Sequence, residues 1–482
     1  MSNDPSTPSG SPGDDGLPPE IARIFRDLNG GRDLPPQVVE QLKAMGIADA
    51  DPGQVAAMTS QIKSMFTPGA MTKGVDVASA TTAAREAADD EDHEMGERER
   101  GLAEQAAHVA SMWLDRVTDL EAPGLTGAAL SRSEWIEETM PVWASLVDPV
   151  ADGLSAAIRD SFTSRLQGPD APDLQAIGLP AGMDLSMLTQ QLAPFVDTMA
   201  SSLITGQTAE AVGALSSDTL TATEAGVPLL SGRVGLLPGN VAAFAEGLDV
   251  PLDEVWLHLA AREAARTRLF TAVPWIGPQI LAAIQSYARG MAIDTDAIDA
   301  AVREVDPSDP SAIQEALTGG FLNPTPTAAQ RAALAQLETW LALVEGWVDH
   351  VAASATADHL PHTAAMTETI RRRRATGGPA ERTFSGLVGL ELRPRRLRDA
   401  ANLFAALEER VGASGRDGVW AHPDVAPTAA DLDDVLGFVE RTAADEGSGE
   451  RSDLDDVLES ILREADEGGS AAGGSDSSPG DR

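Results

Sequence analysis

The sequence contains no cysteine and a single tyrosine, Tyr287. The first absence excludes disulfides, thiolate zinc sites, iron–sulfur clusters and cysteine nucleophiles. Aromatic residues make up only 4% and alanine is abundant, a composition that fills helices readily and strands poorly. Lysine is nearly missing, with Lys43, Lys63 and Lys73 standing among 35 basic residues. Against 75 acidic residues this leaves a net charge of −40. Such a charge disfavours nucleic acid and anionic membranes as partners, because both demand a basic surface. A lysine-poor, acid-rich chain fits a high-GC genome or a salt-adapted cytoplasm. No apolar run reaches the roughly 18 residues needed to span a bilayer. The N-terminal MSNDPSTPSGSPGDDG lacks a basic region followed by an apolar one. A cytoplasmic location is therefore expected.

What is present, over 482 residues with 43% hydrophobic content, is a succession of helical patterns. Residues 1–18 are rich in Pro, Gly, Ser and Asp and read as a disordered tail. A helical segment with an acidic linker follows over 19–97. It includes two short amphipathic patterns within 17–45, and one or two long helices begin at DVASATTAAREAADD. The main body spans 98–440 and is mainly α, with at most a small β-element. Its best strand candidate is VPLLSGRVGLL (227–237), followed by FSGLVGLEL (384–392). Residues 441–482 form an acidic flexible tail with one amphipathic helix (452–467). There Leu454, Val457, Leu458, Ile461 and Leu462 share a face. That face either docks on the parent domain or serves a protein or peptide partner.

The most informative segment is VPLDEVWLHLAAREAARTRLF. Pro251 precedes the helix, and Asp253 and Glu254 suit the positive end of its dipole. The group R-E-A-A-R, Arg262 to Arg266, lies on or beside the apolar stripe, where a charge must be paired or must face a cleft. The spacing is that of H-E-x-x-H, in which histidines four apart grip zinc and the glutamate polarises the bound water. Glu263 occupies the glutamate position. Arginine stays protonated and cannot ligate a metal, and His258, one turn earlier, has no second histidine at i+4. Downstream, LETWLALVEGWVDHV offers Glu345, Asp349 and His350. Two readings remain open for these residues. One is a salt-bridge network in which Arg262 or Arg266 pairs with Glu345, Asp349 or Glu263. The other is a pocket in which the arginines bind an acidic or polar ligand.

Several blocks resemble one family. LLPGNVAAFAEGLDVPLDEVWLHLAAREAARTRLFTAVPWIGPQILAAIQSYARG, LALVEGWVDHV, GLVGLELRPRRLRDAANLFAAL and GRDGVWAHPDVAPTAADLDD are similar to the actinobacterial branch of the zincin-like type 2 metallopeptidases, labelled hydrolases or zinc-dependent metalloproteases. The similarity covers about 98–440. It implies a mostly helical zincin-like domain, with Glu263 at the general-base position, Arg262 and Arg266 at the two histidine positions, and Glu345 at a third-ligand position. With both histidines replaced, the expectation is a non-catalytic binding or scaffold member, a pseudoenzyme with no metal ligand and no cofactor. Zinc enters only if the family activity is retained. The alternative is an active metal-dependent hydrolase with Glu263 as base, and metal or substrate held by Glu345, Asp349 and His350.

Other features are weaker. Arg371 to Arg374 should neutralise a local acidic surface or cap a helix end rather than bind nucleic acid, and with Arg393, Arg395, Arg396 and Arg398 they offer one basic patch for an acidic partner or the chain's own acidic tail. His359 and His362 read as loop residues, and His422 as a turn residue beside Trp420.

Overall fold

Alanine lets the helices of this protein approach one another closely. Ala260, Ala261, Ala264 and Ala265 are fully buried along one helix, where any larger side chain would push its neighbours apart. The computed structural model describes residues 74–88, 92, 94–167, 185–289, 327–375, 384 and 396–449. Among them are twelve helices: α1 (Val77–Ala88), α2 (Glu97–Leu114), α3 (Arg132–Gln167), α4 (Leu185–Asp218), α5 (Pro238–Glu246), α6 (Leu252–Ala272), α7 (Ile276–Arg289), α8 (Ala328–Ala357), α9 (Thr363–Ala375), α10 (Leu397–Gly418), α11 (Ala429–Asp433) and α12 (Val435–Gly449). Two short strands, β1 (Thr126–Ala129) and β2 (Arg233–Leu236), complete the set. The fold is thus mainly α with a small sheet, as the composition implied.

The chain divides into two units. One comprises Met1–Lys73 and Leu174–Met199, and its described part is the beginning of α4. The other comprises Gly74–Asp173 and Ala200–Arg482 and carries everything discussed below. The expected tail at 1–18, the short helices within 17–45 and the amphipathic helix 452–467 lie outside the described residues. So do Arg393 and Arg395. Of the second candidate strand only Phe384 is described; it is helical and packs against Trp143, with ring centroids 5.5 Å apart. Helix α12 continues past the expected tail boundary at 440.

The first candidate strand is real, in its second half. β2 pairs in parallel with β1, Thr126 opposite Arg233 and Ala129 opposite Leu236. β1 falls in a stretch whose Pro and Gly read as a turn. Its Gly127 is required by packing, because a Cβ there would lie 2.2 Å from the Ala103 carbonyl oxygen of α2. The other edge of β2 is covered by residues 220–222. Ala222 N–H donates to the Gly235 carbonyl at 2.9 Å, and Leu237 N–H to that of Leu220 at 3.0 Å. The Trp135 indole donates to the Ala222 carbonyl at 3.0 Å. The sheet therefore pins the segment that continues into Thr223, which enters the site below. Among the described residues no helix is long and apolar enough to cross a membrane.

Helix α8 is begun by a capping box. The Thr327 hydroxyl accepts from Gln330 N–H at 3.2 Å, and the Gln330 side chain accepts from Thr327 N–H at 2.9 Å. Further along, Gly346 lets α10 cross almost in contact. A Cβ at Gly346 would meet the Ala400 Cβ at 2.5 Å and the Ala401 nitrogen at 2.7 Å. Gly346→Ala should therefore cost about 1–3 kcal/mol through overpacking. Thermal unfolding checks this; an unchanged midpoint would rule out the close crossing.

Candidate functional site

Helix α6 carries Asp253 and Glu254 in its first turn, where negative charge complements the helix dipole. From His258 to Leu269 every residue is buried. A helix enclosed on all sides is normally apolar. This one takes His258, Arg262, Glu263, Arg266 and Arg268 into the interior, so its charges need partners.

Helix α8 supplies them for Arg262 and Arg266, while Arg268 reaches Asp115 at 2.6 Å. On α8, Glu345 and Asp349 stand one turn apart, as Arg262 and Arg266 do on α6. Arg262 Nη1 donates to Asp349 Oδ1 at 2.6 Å and Nη2 to Glu345 Oε2 at 3.3 Å. Arg266 grips Glu345 side-on, with Nε 2.7 Å from Oε1 and Nη2 3.2 Å from Oε2. The lower-numbered arginine takes the higher-numbered acid, so the two helices run antiparallel where they meet. Arg266 Nη1 also donates to Glu263 Oε2 at 2.7 Å. Glu263 Oε1 accepts both the backbone N–H and the hydroxyl of Thr223, each at 2.9 Å.

A third helix closes the cluster. From α9, Arg371 Nε donates to Asp349 Oδ2 at 2.7 Å, and Arg374 Nη1 lies 3.1 Å from Glu345 Oε2. Arg373 binds the Glu224 carboxylate and the Asp218 carbonyl, and Arg374 binds the Glu224 carbonyl. Every carboxylate oxygen of Glu263, Glu345 and Asp349 is thereby engaged.

The electrostatics follow from burial and neighbours. Burial alone would raise Glu345, but Arg266, Arg374 and Arg262 outweigh it and hold the carboxyl at about 2. Burial would likewise lower Arg266; the carboxylates of Glu345 and Glu263 keep it above its ordinary value. Burial pushes Glu263 up, and Arg266 with Thr221 and Thr223 offsets this only in part. His258 is fully buried with neither ring nitrogen hydrogen-bonded. Burial and the adjacent Arg262 push it down to about 3, against a weaker opposing pull from Asp349.

Arg262, Glu263, Arg266, Glu345 and Asp349 thus converge, with His258 beside them. His350 does not join. Its Nε2 pairs with Glu408, which also takes Arg416. Arg416 forks onto Asp417 through two bonds of 2.8 Å, and Asp417 accepts the Trp347 indole N–H at 2.9 Å. His359 and His362 separate as well: His359 stacks on Trp113 with ring centroids 4.6 Å apart, and His362 pairs with Glu254 at 3.0 Å. His422 sits in a turn, its Nδ1 accepting from Asp424 N–H at 3.2 Å.

The sequence matches the family described as zincin-like metallopeptidase over residues 75–439. The chain belongs to that family. A crystal structure from Chloroflexus aurantiacus, described as a "putative hydrolase with a novel fold", is similar to this zincin-like chain. The likeness covers 76% of this chain and 98% of the other, with a TM-score of 0.50 at 14% identity. At that identity the likeness speaks for the fold alone. Among curated proteins, none matches the sequence.

The zincin family implies zinc, and the residues present do not fit that ion. The guanidinium groups of Arg262 and Arg266 stay protonated and offer a metal no lone pair. The carboxylate oxygens of Glu263, Glu345 and Asp349 are occupied by arginine donors and by Thr223. Among the described residues no group of three or more His, Cys, Asp or Glu could hold a metal ion.

Thr223, Glu224, Arg371, Arg373 and Arg374 were not legible as site residues. The run of four arginines was a signal, but its acid is interior rather than on the surface.

Acidification should destabilise this zincin-like core in two stages. An unfolded histidine binds a proton below about 6.5, whereas folded His258 binds one only near 3. Stability therefore falls as pH drops through that window, by up to about 1.4 kcal/mol per pH unit. Glu345, held at about 2, contributes stability that is present above about 4.5 and is lost as pH falls towards 2. His258→Leu should flatten the dependence between about pH 6.5 and 4.5. Denaturant titrations at several pH values read this directly, and an unaltered slope would contradict it.

Proposed function

We propose that this zincin-like protein is a non-catalytic binding or scaffold member of its family. The observation that carries the reading is the saturation of the centre: Arg262 and Arg266 take up the carboxylates of Asp349 and Glu345, and Glu263 has both oxygens bonded. A general base needs a free oxygen within reach of the water it deprotonates. Here one oxygen holds Thr223 and the other holds Arg266. The alternative, a metal-dependent hydrolase using Glu263 with Glu345, Asp349 and His350, asks these groups to leave their arginines. His350, paired to Glu408, would also have to change partner.

Purified protein should carry no stoichiometric zinc after equilibration with the metal and gel filtration, and should show no chelator-sensitive peptidase activity. Stoichiometric zinc, removed by chelator together with activity, would overturn the reading.

We read the chain as cytoplasmic, acting on a protein or peptide partner, with no role for nucleic acid or membrane at a net charge of −40. The helix 452–467, with its Leu454, Val457, Leu458, Ile461 and Leu462 face, is the proposed docking element. Deleting 450–482, beyond the end of α12 at Gly449, should abolish specific co-purification of the partner; an unchanged set of bound proteins would count against the helix.

A further inference from the structure

The segments that leave α2, α6 and α10 meet in a groove. One end is a depression of about 360 Å³, lined by Asp119 and Leu120, by Pro274 and Trp275 after α6, and by Trp420 after α10. It adjoins a second of about 700 Å³, which shares Asp119 and Leu120 and reaches Asp115, Glu121 and Arg268. Depressions of this size suit small ligands or side chains. The walls are fixed. The Thr118 hydroxyl and the Asp119 N–H donate to Asp417 at 2.6 and 3.0 Å. The half-buried Trp275 donates its indole N–H to the Trp420 carbonyl at 2.9 Å. Its ring meets those of Trp340 and Trp420, with centroids 5.3 and 6.2 Å apart. Rings held in this way lose little freedom on taking a ligand. The charges do not balance. Arg268, 4% exposed, is already met by Asp115 and by the Ser111 and Leu120 carbonyls. Asp119 and Glu121 are exposed, and neither carboxylate has a partner among the described residues. Trp420, 2% exposed, keeps its indole N–H without an acceptor.

We propose that this groove binds a basic peptide segment, with an arginine or lysine side chain on Trp275 and its charge paired to Asp119 and Glu121. Such a side chain has an apolar stem, and its head is attracted to an indole face. The unmatched carboxylates supply the complementary charge, and a chain of net −40 draws cations towards them. A peptide also brings carbonyl oxygens, the acceptors that the Trp420 N–H lacks. An acidic ligand would face Asp119 and Glu121 and find Arg268 engaged. The proposal rests on the peptide-partner part of the reading above, not on the absence of catalysis. None of the residues lining the groove belongs to the Glu263–Glu345 cluster.

Calorimetric titration of the full chain with a peptide of alternating leucine and arginine tests it, beside the same peptide with glutamate for arginine. The arginine peptide should bind at one site per chain, and the glutamate peptide should not bind. Asp119→Asn combined with Glu121→Gln should weaken binding by about tenfold, and Trp275→Leu by about threefold. Glu246→Gln combined with Asp249→Asn removes two exposed charges outside the groove and should leave the affinity unchanged. Equal loss in the two double variants, no saturable binding, or preference for the glutamate peptide would overturn the proposal. The substitutions at 119 and 121 break no hydrogen bond of a described side chain, so they decide the matter if Trp275→Leu fails to fold. Mass spectrometry of the recovered peptide keeps the two readings apart. An uncut peptide that does not bind removes the groove alone, whereas a bound peptide that is cut upholds the groove and removes the non-catalytic reading.

Discussion

Arg266 and Glu345 meet side-on, at 2.7 and 3.2 Å, in a space where both side chains are 2% exposed. An ion pair this deep has lost the hydration of both partners, and separating them would leave an uncompensated charge in the interior, a penalty of roughly 3–5 kcal/mol. Much of the surrounding architecture follows. Helices α6 and α8 must lie antiparallel for Arg262 to reach Asp349 while Arg266 reaches Glu345. Gly346 must lack a side chain so that α10 can press against the same turn of α8. The remaining lone pairs of Glu345 and Asp349 draw in α9 through Arg374 and Arg371. The small sheet delivers Thr223 to the last open oxygen of Glu263.

A zinc ion would bring two positive charges among these carboxylates, and Arg262 with Arg266 bring two as well. The two solutions differ in reach. A metal draws its ligands to within about 2.0–2.2 Å and leaves a position for water, whereas guanidinium groups fill the space with planar donors and leave none. The helices are held together either way. The chain matches its family over residues 75–439 with a centre whose donors suit carboxylates rather than the ion.

Parts of this arrangement were legible along the chain. The helix 252–272 announced itself through Pro251, the acids of its first turn and its apolar stripe, and the charges lying on that stripe demanded internal partners. Glu345 and Asp349 stood one turn apart on a second apolar helix, the spacing that two arginines one turn apart require. β2 was visible in VPLLSGRVGLL because its valine and leucines alternate with small residues. β1 was not, because Thr126–Ala129 is four small residues behind a proline and a glycine, and its strand character comes entirely from pairing with β2. Local pattern also failed at His350. It adjoins Asp349 in sequence, but neighbouring helical residues point about 100° apart, and this one faces Glu408.

The amino-acid sequence by itself determined the helical class, through its alanine and scarce aromatics, and the exclusion of thiol chemistry. It also excluded metal ligation by the side chains at positions 262 and 266, since both are arginine; these conclusions depend only on residue type and local periodicity. Only the tertiary structure decided that Arg371 and Arg374 of the four-arginine run reach buried carboxylates while Arg372 stays on the surface, that Thr223 occupies Glu263, and that His258 stays neutral with neither ring nitrogen hydrogen-bonded. Each depends on which segments meet across long sequence separations, and on the low dielectric where they meet. Charge alone would have sent Arg373 and Arg374 fully to the surface of an acidic protein; Glu224 and the buried Glu345 of α8 draw them partly in, and Arg371 reaches the buried Asp349 from the surface.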